Sequence, residues 1–569
     1  MKIQLLLLFL LSTFTFTVGA QSAIYSSESA HHPIVAKDGM VATQHYLATE
    51  VGVAILKEGG NAVDAAVGVG FALAVVLPRA GNLGGGGFML VHNADSAKTT
   101  AINYREKAPE AAHRDMYLDA KGAVDSERFN SSYLSVGVPG TVAGMLHALD
   151  KYGTLPIEKV IAPAIALAEG GFPITYDLAA LLDKYRARLS RTPASADLFY
   201  PDSLAYVALD TFVQKDLAWS LQQISDRGHR GFYEGALADR LVSDMVKNGG
   251  IITKADLKNY KVSETEVVSG SYRGYEIASM PPPSSGGVHL IQILNILEEY
   301  DLAASGHNSA STIHLMVEAM RRAYADRSEH LGDPAFWDVP TAGLTSKEYA
   351  THLRQNINLL RATPSDLIKP GQPQDYESEE TTHYSIVDKW GNAVSNTYTL
   401  NFSFGTGLVA EGTGILLNNE MGDFSAKPGE ANAYGLIGGE ANAVQPRKQP
   451  LSSMTPTIVL KDGQPVLVTG SPGGSRIITT VLQIIMNVID HEMNIAEASH
   501  ASRIHHQWYP DVLFHEKYFN VDTKKLLKVK GHELKQRAAM GSTQSIHIKE
   551  GLLYGASDPR RPDASTGGY

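Results

Sequence analysis

The chain contains no cysteine. That single absence removes disulfides, cysteine nucleophiles, zinc–thiolate sites, iron–sulfur clusters and an acylated N-terminal cysteine. Two familiar hydrolase signatures are missing as well: there is neither a G-x-S-x-G elbow nor an H-E-x-x-H zinc motif. Excess positive charge is lacking too. Lys and Arg total 49 against 60 Asp and Glu, a formal net charge of -11, which argues against nucleic acid or an anionic membrane surface as partner. No apolar run reaches the length a membrane-spanning helix needs. What is present, 44% hydrophobic and 19% charged residues in 569, is the composition of a globular protein with a large core. Catalysis, if any, rests on oxygen or nitrogen groups.

Met1-Lys2, the apolar run 5–11 and the small residues Val18-Gly19-Ala20 read as an export signal removed after Ala20, which predicts a periplasmic or secreted protein. No tandem repeat or low-complexity linker divides the rest. Residues 59–67 predict a turn feeding a small-residue helix. The run Gly84-Gly85-Gly86-Gly87 enters a strand rather than leaving one, and no Lys-Ser/Thr pair follows, so it is read as close backbone packing and not as a phosphate loop. The middle, 153–360, predicts mainly helix. Within it 311–330 carries Ile313, Met316, Met320 and Ala323 on one stripe, and Pro281-Pro282-Pro283 forms a rigid turn before an apolar helix. After Thr381 strands predominate. One hairpin turns at 389–392 and another at Asp462-Gly463, and the loop 470–475 leads into an apolar helix from Arg476. Hairpin sheets with helices on their faces predict a layered α/β sandwich.

The most informative junction lies at Glu380–Thr381. A polar, proline-punctuated stretch, 361–380, stops where a strand-like run begins. Cutting that bond would free a threonine carrying a hydroxyl nucleophile and, in its own α-amine, a base titrating near pH ~8. Thr397, Thr399 and Asn401 follow on a return strand, where alternate residues share a face. Gly473 and Gly474 precede a helix, where unpaired N–H groups and the positive end of the helix dipole suit an oxyanion. Arg105 offers a planar fork for a carboxylate, and Glu420 and Asp423 offer charge for an ammonium. Each of these also has a structural reading, as sheet polarity, a glycine turn or a surface salt bridge. Adjacent His505 and His506 are read as structural, since neighbours in sequence rarely face one ion.

Four segments taken together resemble γ-glutamyltransferase (γ-glutamyltranspeptidase): Thr381-Thr382-His383-Tyr384-Ser385, Leu416-Leu417-Asn418-Asn419-Glu420-Met421, Pro450-Leu451-Ser452-Ser453-Met454 and Gly470-Ser471-Pro472-Gly473-Gly474-Ser475-Arg476. The resemblance extends over almost all of the chain after the signal. It implies a four-layer αββα sandwich of the N-terminal-nucleophile hydrolase type, and a precursor cut into a large subunit, 21–380, and a small one, 381–569. It implies that Thr381 is the nucleophile, Thr399 its support, and Gly473 and Gly474 the oxyanion hole. It implies that Arg105, Ser452 and Ser453 hold a substrate α-carboxylate, that Asn401, Glu420 and Asp423 hold its α-amine, and that Tyr434 belongs to a lid loop, 428–439. Glutathione and related γ-glutamyl compounds are the implied substrates, with water, amino acids or peptides as acceptors and no cofactor or metal. Two positions depart from common members: many bacterial relatives have Gln at Glu420, and many have a second Asp at Gly422. The competing readings are a cephalosporin or glutaryl acylase on the same scaffold, and a non-catalytic periplasmic protein that binds γ-glutamyl compounds.

Overall fold

The computed structural model describes residues 29–369, 381–433 and 435–569. Two seven-stranded sheets lie face to face. In the first, the order is Ser565–Gly568, Met40–Thr43, Thr382–Val387, Ala393–Thr399, Gly86–Asn93, Lys98–Tyr104 and Ser263–Glu266. The second runs Ile34–Ala36, Leu552–Ser557, Gln544–Lys549, Gln464–Thr469, Thr457–Lys461, Tyr275–Ser279 and Val268–Tyr272. Helices Tyr46–Lys57 and Ala62–Val76 cover the first sheet. Gly286–Leu297, Arg476–Ile489 and Ala310–His330 build the layer on the second. The result is the αββα sandwich, with one large apolar cluster under the helices of the first sheet and another that runs from the second helix layer through to the inner face of the first sheet, at Ala42, Phe88 and Leu90.

The pattern of the two central strands explains the layering. In Thr382–Val387 and Ala393–Thr399 every residue is buried, so polarity alternates between two interior faces rather than between core and water. Tyr384, Ile386, Val394 and Tyr398 point to the helix layer, where Tyr398 Oη donates to the Gly70 carbonyl at 3.0 Å. That packing needs small residues on the helix: a β-carbon at Gly70 would lie 2.9 Å from Tyr384 Oη and 2.7 Å from Met145 Cε. Ser385 and Ser395 point the other way and donate to Gln544 O and Thr469 O of the second sheet, at 2.8 and 3.0 Å. The layer between the sheets is therefore stitched by hydroxyls, and the strand that follows Thr381 enters it at one end.

Local expectations hold where a short-range signal exists. The Ala62–Val76 helix opens with a capping box between Asn61 and Asp64. The Thr457–Lys461 and Gln464–Thr469 hairpin turns at Asp462 and Gly463 with φ of 53° and 76°, the left-handed pair its tight turn requires. The mainly helical middle needs one correction. Ser263–Glu266, Val268–Tyr272 and Tyr275–Ser279 are strands: the first edges one sheet, the second edges the other, and the third lies just inside that second edge. The first is a largely exposed edge strand of sequence SETE and carries no alternating apolar signal.

Candidate active site

Thr381 stands directly before the first central strand and is almost fully buried, at 4% exposure. The strand register pairs Thr382 with Tyr398, so the next step along the ladder sets Thr381 opposite Thr399. Their hydroxyl oxygens are 3.4 Å apart. Thr399 Oγ1 in turn accepts the backbone N–H of Asn401 at 2.8 Å, which fixes its rotamer. Asn401 itself corrects a sequence expectation. The strand ends at Thr399 and Asn401 adopts φ +74°, so it does not continue the alternation of Thr397 and Thr399. This left-handed turn nonetheless brings Asn401 to the same cleft, with Nδ2 donating to Asn419 O at 2.9 Å.

His383, the nearest imidazole in sequence, is not a base for Thr381. Both ring nitrogens are engaged, with Thr397 Oγ1 at 2.9 Å and Ser385 Oγ at 3.0 Å, and burial pushes its pKa down to about 3.

The loop 470–475 closes the second wall. Gly473 and Gly474 have φ of +136° and +54°, values that favour glycine, and the helix starts at Arg476, whose N–H donates to Gly473 O at 3.0 Å. Gly474 and Ser475 line the cleft with Thr381. The loop is braced from behind: Ser475 Oγ donates to Gln507 Oε1 at 2.6 Å, and Tyr324 Oη donates to the Ser475 carbonyl.

At the far end of the cleft the guanidinium of Arg105, fully buried, pairs with Glu420 and Asp423 and lies 3.4 Å from Glu106. Arg105 Nε also donates to Pro450 O at 3.3 Å. Three carboxylates thus surround one cation in a dry pocket. Burial pushes the Glu106 carboxyl up to about 7 against the pull of Arg105, and holds Glu420 well above the usual range. Ser452 and Ser453 line the same cleft, as does a second buried arginine, Arg327. Glu106 and Arg327 were not singled out from sequence. Gly422 is closely packed: a β-carbon there would sit 2.7 Å from Asn130 Oδ1, so a larger residue would require the Asn130 side chain to shift.

The cleft that gathers these groups is tightly closed, with a free volume of about 20 Å³. Larger hollows of about 830 and 1070 Å³ occur elsewhere, but none of these groups lines them. Tyr434 and Glu380 lie outside the described residues, as does the N-terminal signal. Asn432 and Leu436, to either side of Tyr434 in sequence, line the cleft, and Asn432 N donates to Leu436 O at 3.0 Å. His505 and His506 bind protein groups: His505 meets Thr479 Oγ1 at 2.8 Å, and His506 accepts the Trp508 N–H at 3.1 Å. Among the described residues no group of three or more His, Asp or Glu side chains is placed to hold a metal.

A family model for gamma-glutamyltranspeptidase matches residues 48–568. The glutathione hydrolase proenzyme of Escherichia coli (strain K12) is 56% identical over 544 residues, covering 95% of this chain and 94% of its own. A solved gamma-glutamyltranspeptidase chain from Helicobacter pylori is 51% identical, with a TM-score of 0.57 over 57% of this chain and 94% of that one. The cephalosporin acylase of Bacillus halodurans superposes with a TM-score of 0.85 at 30% identity, over 96% of this chain and 98% of that one. These matches agree with the αββα layers, and the chain belongs to the γ-glutamyltranspeptidase family.

Proposed function

We propose that this protein is a self-cleaving γ-glutamyl hydrolase and transferase, acting on glutathione and related γ-glutamyl compounds through an ester on Thr381. The observation that carries the reading is convergence: one cleft holds Thr381, its supporting Thr399, the glycine turn, and an arginine beside two acids. The spacing of charge suits a zwitterion. In the unliganded cleft Arg105 pairs with Glu420 and Asp423, and a glutamyl α-carboxylate and α-ammonium would enter between them, one matching each sign.

The steps follow from the groups. The Thr381 hydroxyl first attacks the Glu380 carbonyl, shifting the peptide from nitrogen to oxygen; water hydrolyses that ester and leaves Thr381 with a free α-amine. In the cut enzyme the amine takes the Thr381 hydroxyl proton as Oγ1 attacks the γ-amide carbonyl. The backbone N–H groups at Gly473 and Gly474 stabilise the oxyanion, a contribution of about 3 kcal/mol per donor. Collapse returns the proton to the leaving amine, which from glutathione is cysteinylglycine. Water or an acceptor amine then attacks the ester and regenerates Thr381. Asn401, Glu420 and Asp423 fix the ammonium, and Ser452 and Ser453 assist the carboxylate. An ammonium site has no use in a glutaryl acylase, so retention of the acid pair favours γ-glutamyl donors. The export signal supports a periplasmic or secreted location.

The test is Thr381→Ala. It is expected to give one uncut chain with no γ-glutamyl anilide turnover, while the native protein yields two chains and a new N-terminus at Thr381 by mass and end sequencing. Normal cutting of pure Thr381→Ala would reject the scheme. Preference of the native enzyme for a glutaryl anilide would reject the substrate assignment.

A further inference from the structure

The long helix Ala310–His330 is buried along most of its length, and near its end Arg327 reaches the substrate cleft. Its surroundings differ from those of Arg105. Arg105 faces Glu106, Glu420 and Asp423. Arg327 makes two hydrogen bonds, both to serines: Nε donates to Ser285 Oγ at 2.9 Å and Nη2 to Ser453 Oγ at 3.2 Å. Among the described residues it has no carboxylate within ion-pair distance, and Nη1 has no partner. Nη1 nevertheless keeps a little exposure on the cleft that the side chain borders.

The serines extend the pattern. Ser453 Oγ accepts from Arg327, so its own hydrogen is turned elsewhere, and it has no acceptor among the described residues. Ser452 Oγ accepts from Met454 N at 3.1 Å and is in the same position. Ser285 Oγ receives Arg327 Nε and passes its proton to the Ser452 carbonyl at 2.8 Å, locking the two segments together. Asp423 acts on Arg327 only from beyond ion-pair distance, so a buried guanidinium with no carboxylate in contact stands beside two unused hydroxyl donors in one cleft, an arrangement that would accept a carboxylate. Burial lowers the Arg327 pKa to about 10, so the group remains cationic at neutral pH.

We propose that Arg327 is a specificity-determining residue for the donor: it is a second cation for the glutamyl α-carboxylate, acting through Nη1 and through the Ser453 hydroxyl that it orients. Arg105 keeps its place as the first cation for that carboxylate, shared with the acids that face the ammonium. The inference rests on the functional reading above and adds a residue to it.

The test compares L-glutamate with isoglutamine, its α-amide, as competitive inhibitors of γ-glutamyl anilide hydrolysis. The native enzyme is expected to favour glutamate, and Arg327→Gln to shrink that preference by roughly tenfold or more, the scale of one charge-assisted hydrogen bond. The accompanying loss for γ-glutamyl anilide should fall on KM more than on kcat. Arg327→Lys, which keeps the charge but not the fork, should recover part of the preference. If Arg327→Gln is recovered unfolded, Arg327→Lys carries the test, and an unchanged preference in it overturns the proposal. Equal weakening of both inhibitors would show a merely structural arginine and overturn it as well. A native enzyme inactive on γ-glutamyl anilide would instead sink the functional reading itself.

Discussion

Tyr324 and Arg327 stand three residues apart on one helix and reach opposite walls of the cleft, Tyr324 through the Ser475 carbonyl and Arg327 through the Ser453 hydroxyl. Residues three apart share a helix face, so a single buried element sets the distance between the turn that would hold the oxyanion and the serines that would hold the carboxylate. Tyr324→Phe keeps the ring and removes only the donor. We expect kcat to fall about tenfold with KM little changed, since a loosened Ser475 misplaces the neighbouring N–H groups in the transition state. Steady-state kinetics on a γ-glutamyl anilide check this; a change confined to KM would count against it.

Gly473 makes a sharper case, because its φ of +136° is a conformation that side-chain-bearing residues rarely adopt. Space is not the obstacle, as an added β-carbon would be 3.6 Å from Arg476 Cβ. Gly473→Ala should therefore act through the backbone, rotating the peptide proposed to carry the oxyanion donor. The expected loss is 10²–10³ in kcat, with about 1 kcal/mol of stability. Single-turnover acylation and a denaturant midpoint separate the two effects.

Lys448 is buried next to the Phe336 ring, and its Nζ has no hydrogen-bond partner among the described residues. Burial, only partly offset by Asp333, lowers its pKa to about 8. The sign follows from the unfolded value of about 10.5. The folded state gives up its proton first, so the cost of a buried charge is full below about pH 8 and fades as pH rises towards 10.5. Lys448→Met should stabilise the protein by roughly 1–2 kcal/mol at pH 7, and the advantage should shrink above pH 8. Denaturant midpoints at pH 7 and pH 10 check this; an advantage that grows with pH would contradict it.

How much could be read in advance depends on the range of the forces. The Asp462–Gly463 turn, the Asn61 cap and the glycines before Arg476 were legible because each is set by neighbours a few residues away. Thr381 was legible because a loop ends and a strand begins on it. Arg327, Tyr324 and Glu106 were not, because their roles arise where a helix or strand packs on segments more than a hundred residues distant. Arg321 and Arg322 illustrate the same limit: off the apolar stripe in sequence, they are buried by an acid on their own helix and by a tail that follows it. Asn401 was placed on the correct wall by an argument about alternation that its left-handed backbone does not obey.

Glu318 holds that tail. Its carboxylate pairs with Arg321 and Arg322 and accepts Thr363 N at 2.9 Å and Thr363 Oγ1 at 2.6 Å. Nearby, Ser365 N donates to Asp511 at 2.8 Å and the Trp508 indole donates to Ser365 O at 3.0 Å. Segment 356–368 is thereby fastened to residues beyond Thr381, and under the proposed cut it becomes the anchored end of the large subunit. Burial alone would raise the Glu318 pKa, but Arg321, the Thr363 hydroxyl and Arg322 together hold it below the ordinary carboxylate value. A carboxyl depressed in the fold stabilises above its unfolded pKa, and that contribution is lost as pH falls through the folded one. Glu318→Gln leaves buried Arg322 without an anion and Arg321 with Asp511 alone, and should cost about 3–5 kcal/mol at pH 7, with the gap from the native protein narrowing in acid. The clamp also predicts a local effect: a protease should release the 356–368 tail from Glu318→Gln sooner than it attacks the sheets. A variant that unfolds at the native urea midpoint, with its tail equally protected, would show that this acid anchors nothing.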